Sequence, residues 1–218
     1  LTQAGGKLNH ELNREFSEYC RSNDKRFYVM YGQTEAIARM SYLPPEYSVK
    51  KLGSMGIAIP GGSFSLIDEG RNRIEEYNQV GELVYTGKNV SMGYAVCGID
   101  LAKDDENKGV LITGDLAKRD EDGFYYIVGR KKRFLKIYGN RVNLDEAERL
   151  IKNIVQDCAC TGEDDKIRIY LTDEKMKNEI KIYITTKTGI NSRAFEFRVI
   201  KNIPKNSSGK TIYSKLPA

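Results

Sequence analysis

Two polar residues stand where a carboxylate and a guanidinium could hold adjacent hydroxyls of a sugar. Asp115 follows the apolar run of residues 110–112, whose pattern predicts a strand that ends just before it. Arg130 follows residues 124–128, an aromatic and β-branched strand that Gly129 terminates. A carboxylate accepts hydrogen bonds and a guanidinium donates them in a fixed fork, so the pair suits a vicinal diol such as a ribose. An ordinary hairpin with a surface arginine would show the same spacing.

A second polar group is the sequence YGQTE at residues 31–35, which follows a short strand predicted at residues 26–30. Tyr31 can lay its ring on a purine, and Thr34 can offer its hydroxyl to a phosphate oxygen. Glu35 supplies the hard oxygen ligand that Mg²⁺ prefers. A glycine turn followed by a Thr-Glu helix start is the alternative interpretation.

Lys210 stands on a loop rich in serine and glycine. Gly209-Lys210-Thr211 also ends a Walker A loop, but that motif requires glycine where this chain has Pro204, and a helix after the lysine. A lysine on such a loop suits a cation that reaches a site only when a lid closes. Taken alone, it would be an exposed lysine of the tail.

The composition argues against several other chemistries. His10 is the single histidine, which removes histidine triads and histidine metal clusters. The four cysteines, Cys20, Cys97, Cys158 and Cys160, contain no CxxC pair, which argues against a zinc site and a disulfide framework. We therefore expect a reducing, cytoplasmic setting. No apolar run predicts membrane insertion.

Charge is divided unevenly along the chain. Residues 1–130 hold 16 lysines and arginines against 19 aspartates and glutamates, whereas residues 131–218 hold 19 against 11. A basic surface is typical of proteins that bind phosphorylated ligands, nucleic acids or anionic membranes. Because the basic residues alternate with acidic ones and no nucleic-acid motif accompanies them, we expect no nucleic-acid partner. A nucleic-acid-binding module remains an alternative.

The hydrophobic periodicity predicts an α/β (α+β) fold that positions these groups. An apolar stripe at helical spacing predicts a helix over residues 8–20. The stripe consists of Leu8, Leu12, Phe16 and Tyr19. Alternating runs at residues 63–68 and 81–86, separated by glycine-rich turns, predict a small distorted β-barrel-like subdomain.

Beyond Arg130 the pattern predicts a compact second unit that begins with a strand at residues 134–138. Asn143 and Glu146 resemble a capping box at the start of a helix. The inner face of that helix is Val142, Ala147, Leu150, Ile151, Ile154 and Val155.

The rest of the second unit is predicted as two strands and a helix. Residues 166–171 and 179–186 alternate in hydrophobicity, which predicts an antiparallel pair. Phe195, Val199 and Ile200 mark a final helix.

Taken in order, these motifs resemble the adenylate-forming, AMP-binding enzymes, the family of acyl-CoA synthetases, nonribosomal peptide adenylation domains and luciferases. The matching sequences are YGQTE at 31–35, GEL at 81–83, TGDL at 113–116, GFYYIVGR at 123–130, KIYGNRVNLDEAE at 136–148 and IPKNSSGK at 203–210. The resemblance implies that residues 1–131 are the C-terminal segment of the family's large AMP-binding domain. Residues 132–218 would then be its C-terminal lid, a compact α+β domain with a three-stranded sheet.

The resemblance also implies a role for each matching residue. The implied nucleotide-binding residues are Gly5, Gly6, Tyr31, Gly32, Gln33, Thr34, Asp115, Ile127 and Arg130. The implied catalytic residues are Thr34, Glu35 and Lys210, with Glu35 as the ligand of Mg²⁺. Lys132 would be the hinge, and Lys136 and Gly139 would face the thiol of coenzyme A.

The function implied is that of an ATP-dependent carboxylate–CoA ligase, with ATP or AMP, Mg²⁺ and coenzyme A as cofactors. Its partners would be ATP, a carboxylic acid and CoA, with an acyl carrier protein as the alternative acceptor. The family's loop for the ATP β- and γ-phosphates lies upstream of YGQTE and is not found here, so we interpret the chain as a C-terminal fragment that is inactive alone. A non-catalytic scaffold with the same fold is a further alternative.

Overall fold

The computed structural model describes residues 1–6, 8–37, 39–207 and 209–217. The chain divides into two compact units, Leu1–Lys131 and Lys132–Ala218. Both units mix helices with sheets, so the predicted α/β class is confirmed. Within the described residues, no helix has the length and apolar character needed to cross a membrane.

The first unit begins with a four-stranded sheet in the order β1-β2-β3-β4. Its strands are β1 (Thr2–Gln3), β2 (Tyr28–Tyr31), β3 (Ser41–Tyr42) and β4 (Ile57–Ala58). Strands β1 and β2 are parallel because helix α1 (His10–Ser22) returns the chain between them. The other pairs are antiparallel.

The rest of the first unit is a five-stranded antiparallel sheet in the order β6-β5-β7-β8-β9. Its strands are β5 (Gly62–Ile67), β6 (Arg73–Ile74), β7 (Gly81–Gly87), β8 (Val110–Arg119) and β9 (Tyr125–Arg130). One buried cluster consists of Met55, Leu66, Ile74, Leu83, Ala117 and Tyr125. Among the described residues the sheet stays open, because β6 has only two residues and does not pair with β9, so the predicted barrel-like shape is not a closed barrel.

The second unit contains a hairpin and the predicted three-stranded sheet. The hairpin is β10 (Phe134–Ile137) and β11 (Asn140–Asn143), and the sheet is β12 (Cys158–Glu163), β13 (Lys166–Leu171) and β14 (Phe195–Val199). Its helices are α2 (Leu144–Ile151) and α3 (Lys177–Thr188). The Asn143 Oδ1 accepts the Asp145 amide at 2.8 Å, so the predicted helix cap is present.

The predicted strand at residues 179–186 is wrong, because this segment lies inside helix α3. Its alternating isoleucines match a strand, yet Ile180 and Ile184 are fully buried while Ile182 is 69% exposed. Burial at positions i and i+4 is the helical spacing, and Gly189 ends the helix with a left-handed cap at φ 69°. Packing of one helical face therefore overrode the local β-propensity.

The predicted final helix at residues 195–200 is also wrong, because Phe195–Val199 is strand β14. It pairs in parallel with β13, placing Phe195 opposite Ile167 and Val199 opposite Leu171. The third strand of the sheet is thus the segment that we expected to be helical, and helix α3 is the crossover that a parallel pair requires.

Helix α1 confirms the helix predicted at residues 8–20, but its apolar stripe is not the buried side. Leu12, Phe16 and Tyr19 are exposed, whereas Asn13 and Ser17 are buried. Ser17 Oγ donates to Asn13 Oδ1 at 3.4 Å, which pairs these two polar groups within the core.

Limited proteolysis tests the division between the two units. We expect trypsin to cut first after Lys132, which is exposed, because the neighbouring Arg133 side chain is held in two ion pairs and Lys131 is paired with Glu82. Mass spectrometry should identify a fragment that starts at Arg133. Lys132→Gln, as the control, should abolish this product, and a single resistant core in the unmodified chain would contradict two units.

Candidate functional site

Asp115 and Arg130 lie directly opposite each other in the β8–β9 ladder. Arg130 Nε is 3.1 Å from Asp115 Oδ1. The Asp115 side chain is only 6% exposed, whereas that of Arg130 is 66% exposed. Strand β8 does not end before Asp115 as the sequence suggested, but continues through it, with the register shifting between Leu116 and Ala117. The result is a buried carboxylate beside an accessible guanidinium.

The second Asp115 oxygen is held by two residues of the YGQTE segment. The Tyr31 hydroxyl donates to Asp115 Oδ2 at 2.6 Å. Gln33 Nε2 donates to the same oxygen at 2.7 Å and to the Thr113 carbonyl at 3.0 Å. Predicted residues that are more than 80 positions apart in the chain therefore meet at one carboxylate.

Thr113 positions this cluster, although nothing in the sequence singled it out beyond its place in TGDL. Its hydroxyl donates to the Leu83 carbonyl of β7 at 2.8 Å and accepts the Asp115 amide at 3.1 Å. Thr113 thereby ties the backbone of Asp115 to the neighbouring strand. Gly114, between them, has φ 69°, a conformation that favours glycine.

The phenol of Tyr31 is in an environment that keeps it protonated. Burial raises the pKa of Tyr31, and the negative charge of Asp115 and their hydrogen bond raise it further. The ring packs against Phe64, with centroids 6.5 Å apart. A neutral phenol can donate to a carboxylate, so Tyr31 acts here as a donor to Asp115.

Thr34 and Glu35 follow in a short 3-10 turn, Thr34–Ala36. Thr34 is exposed. The Tyr94 hydroxyl donates to Glu35 Oε1 at 2.5 Å, and this hydrogen bond lowers the pKa of Glu35. Ser91 N donates to the Glu35 carbonyl at 2.7 Å, which fixes the turn against the loop after β7. Glu35 is therefore an ionised carboxylate next to an exposed hydroxyl.

Among the described residues, no group of three or more histidine, cysteine, aspartate or glutamate side chains could hold a metal ion alone. A single ionised carboxylate at Glu35 matches Mg²⁺, which binds through one or two carboxylates together with the phosphates of its substrate. The donor set thus fits a magnesium ion that arrives with a nucleotide.

The other predicted nucleotide-binding residues lie around this cluster or in its core. Gly5 and Gly6 follow β1, at the same end of the parallel pair at which Tyr31 closes β2. Gly5 has φ 91°, and the Gly6 carbonyl accepts Gln3 Nε2 at 2.6 Å. Ile127 instead packs into the apolar cluster beneath the five-stranded sheet.

The remaining predicted residues belong to the second unit. Lys132, Lys136 and Lys210 are exposed. Gly139 and Tyr138 form the two-residue turn between β10 and β11, with φ of 82° and 48°. Two positive φ angles are typical of a type I′ hairpin turn, which explains a glycine at this position in structural terms.

Comparison with known proteins agrees with this architecture. Residues 1–95 match the family described as AMP-binding enzyme. The 2-succinylbenzoate–CoA ligase of Bacillus licheniformis is 28% identical over 210 residues, covering 91% of this chain and 43% of the relative.

Solved structures of two proteins have the same fold. O-succinylbenzoate CoA synthetase from Bacillus subtilis, solved in complex with AMP, aligns with a TM-score of 0.75 at 23% identity and covers 100% of this chain and 45% of its own. The same synthetase has been solved with ATP and magnesium. McyG A-PCP with phenylalanyl-adenylate aligns with a TM-score of 0.71 at 24% identity, over 97% of this chain and 37% of its own.

With residues 1–95 matching the AMP-binding enzyme family and a CoA ligase matching over most of this chain, the chain is similar to a part of the adenylate-forming acyl-CoA synthetases. It spans less than half the length of the relatives that it matches.

The hydrogen bond between Tyr31 and Asp115 should make the free energy of unfolding depend on pH in the alkaline range. An unfolded tyrosine ionises near a pKa of about 10, whereas folded Tyr31 ionises above it, so its contribution to stability is complete below about pH 10 and declines as the pH rises further. We expect Tyr31→Phe to lower the free energy of unfolding by about 1–3 kcal/mol near neutral pH. Above about pH 10 the variant should lose stability less steeply, by up to about 1.4 kcal/mol per pH unit.

Urea unfolding followed by circular dichroism measures both quantities. Tyr77→Phe is the matched control, because Tyr77 is an exposed tyrosine of the same unit. Equal alkaline slopes for Tyr31→Phe and the unmodified chain would contradict the buried donor role of Tyr31.

Proposed function

We propose that this chain is the C-terminal part of an ATP-dependent carboxylate–CoA ligase and holds the nucleotide of the acyl-adenylate. In the first step a carboxylate oxygen attacks the α-phosphorus of ATP, and pyrophosphate leaves. In the second step the thiol of CoA attacks the acyl carbon, and AMP leaves as the thioester forms. The observation that carries the proposal is the buried Asp115 carboxylate, oriented by Tyr31 and Gln33 beside the accessible Arg130.

This geometry suits a ribose. The two ribose hydroxyls can donate to a carboxylate and accept from a guanidinium, so they need an acceptor and a fork of donors side by side. Asp115 is fixed from three directions, and its orientation therefore costs little additional entropy when a ligand binds. Arg130 presents its exposed guanidinium next to it.

Thr34 and Glu35 are proposed to act on the phosphates. The exposed Thr34 hydroxyl would donate to an α-phosphate oxygen, and the ionised Glu35 would hold Mg²⁺ together with the phosphates. Magnesium, when bound, neutralises phosphate charge and thereby favours nucleophilic attack. Lys210 would supply a further cation for the charge that develops during adenylation.

The acyl acceptor has a second candidate. The similarity to McyG, an adenylation domain solved with its peptidyl carrier protein, favours a phosphopantetheine thiol on a carrier protein as the alternative to CoA. Thioester formation with free CoA would favour CoA as the acceptor. Thioester formation only with a carrier protein would favour the phosphopantetheine thiol.

Binding of AMP to the chain tests the proposed ribose site. We expect Asp115→Ala to weaken AMP binding about 10- to 100-fold, because a hydrogen bond to a charged group contributes roughly 1.5–3 kcal/mol. Nuclear magnetic resonance titration with AMP measures the dissociation constant. Asp104→Ala removes an exposed carboxylate of the same unit and should leave the constant unchanged. Equal AMP affinity in Asp115→Ala and the unmodified chain would refute the assignment.

The two half-reactions provide a second test. It uses a ligase in which this chain is joined to the remaining portion that its longer relatives contain. The chain alone is expected to release no pyrophosphate from ATP. Lys210→Ala should slow adenylation roughly 100-fold, about 3 kcal/mol, because it removes a cation from the transition state. Thioester formation from synthetic acyl-adenylate should be spared, and Lys215→Ala, an exposed lysine nearby, should change neither step.

Gly139→Leu should have the opposite effect, by blocking the thiol while sparing adenylation. A leucine at φ 82° also strains the turn, so Gly123→Leu, at φ 84° in another turn, is the matched control for strain. Equal loss of both half-reactions in either Lys210→Ala or Gly139→Leu would contradict this division of roles.

A further inference from the structure

A buried charged network begins one residue beyond Lys132. The Arg133 side chain is 12% exposed and donates through all three of its nitrogens. Nε bonds Asp145 Oδ1 at 2.7 Å, Nη1 bonds the Cys160 carbonyl at 2.6 Å, and Nη2 bonds Glu148 Oε1 at 2.5 Å. A guanidinium with this many partners is held in one orientation.

Glu148 connects this arginine to the C-terminal segment. Its side chain is 7% exposed, and Oε1 also accepts the Cys160 amide at 2.8 Å. Its other oxygen, Oε2, accepts the Tyr213 hydroxyl at 3.1 Å. The Arg133 guanidinium lies over the Tyr213 ring, 4.1 Å from its centroid. Tyr213 is thus fixed at both its ring and its hydroxyl.

Tyr213 lies three residues beyond Lys210, just after a small hairpin that contains Lys210. Thr211 forms a β-bridge with Lys205, and the Ile212 amide donates to the Pro204 carbonyl at 2.8 Å. Closer to its tip, the Asn206 amide donates to the Lys210 carbonyl at 2.9 Å. Ser208 lies outside the described residues.

The outer side of the hairpin is fastened separately. Lys205 Nζ lies 2.6 Å from Asp157 Oδ2. Apolar contacts hold the same segment, since Ile203 is buried with Ala159 and Tyr170, and Leu216 packs on them. The buried ion pair adds directional bonds, although an apolar replacement is often at least as stabilising.

We propose that Arg133, Glu148 and Tyr213 are positioning residues for Lys210. Glu148 and Tyr213 connect the Lys210 hairpin to Arg133, the residue that follows the hinge. This proposal rests on the proposed function, in which Lys210 is the cation of adenylation, and on Lys132 as the hinge that the family resemblance implies. Rotation about Lys132 then carries Arg133, Glu148, Tyr213 and the Lys210 hairpin as one body. Lys210 arrives in a fixed orientation instead of sampling the positions open to a loose tail, and only a fixed cation lowers the barrier efficiently.

Hydrogen–deuterium exchange on the chain itself tests the anchoring. Tyr213→Leu should speed exchange of the Asn206 and Ile212 amides about tenfold or more, because it removes both the charge-assisted hydrogen bond and the stacking. Tyr213→Phe keeps the ring and should give a smaller increase. The matched control is Tyr183→Leu. The Tyr183 hydroxyl is also hydrogen-bonded, as the acceptor from Asn153 Nδ2, and its ring lies near a cation, Lys187, but Tyr183 is on helix α3.

Unchanged exchange of the Asn206 and Ile212 amides in both Tyr213 variants would overturn the proposal. If Tyr213→Leu abolishes protection across β12–β14, the unit has unfolded, and Tyr213→Phe alone decides the matter.

Kinetics in a ligase that contains this chain test the consequence. Tyr213→Leu should lower kcat of adenylation roughly tenfold or more, as expected for a misplaced catalytic group, while KM for ATP and thioester formation from synthetic adenylate stay nearly unchanged. Tyr213→Phe should recover most of the rate. Wild-type adenylation rates in Tyr213→Leu would overturn the positioning role. An enzyme that forms no adenylate would instead overturn the proposed function, while the exchange experiment would still decide the anchoring.

Discussion

The buried carboxylate of Asp115 is the constraint on which the site of the first unit depends. An ionised carboxylate removed from water costs several kcal/mol unless it is paired and hydrogen-bonded. Here the compensation comes from Arg130 on one oxygen and from Tyr31 and Gln33 on the other. Each donor is supplied by an element whose position is fixed elsewhere: β9 by its ladder with β8, and Tyr31 by the end of β2. The YGQTE segment and the five-stranded sheet therefore stabilise each other.

Much of this cluster could be predicted because its spacing is local. A turn at residues 120–123 makes β8 and β9 antiparallel neighbours, which brings Asp115 close to Arg130. The register next to the turn would pair Asp115 with Gly129, and the shift between Leu116 and Ala117, which the sequence does not reveal, moves it opposite Arg130. The contact of Gln33 with Asp115 spans 82 positions, and no local pattern encodes it. The role of Thr113 was missed for a similar reason, since a hydroxyl that bridges β7 and β8 looks in sequence like any polar residue of a strand.

The errors in the second unit have one physical cause. Residues 179–186 and 195–199 both carry patterns that fit two periods over a short window, and tertiary burial decided between them. Ile180 and Ile184 are buried at helical spacing, while Phe195 is buried in a strand that pairs with β13. In helix α1, too, the helix itself was predictable, but its buried side carries the paired Asn13 and Ser17 instead of the large apolar residues.

In the second unit, the buried network of Arg133, Glu148 and Tyr213 holds the hairpin that carries Lys210. The proposed role of Lys210 in adenylation requires that it be held in place without losing its charge, and an ion pair made directly to its ammonium group would weaken its field at the ligand. The network anchors the segment through a neutral hydroxyl, that of Tyr213, and the charge of Glu148 is directed at Arg133. Burial and the charge of Glu148 raise the pKa of Tyr213, so this donor stays protonated. The groups that orient the Lys210 hairpin are therefore different from the charged group of Lys210 itself. The hairpin can be held rigidly while Lys210 keeps its positive charge.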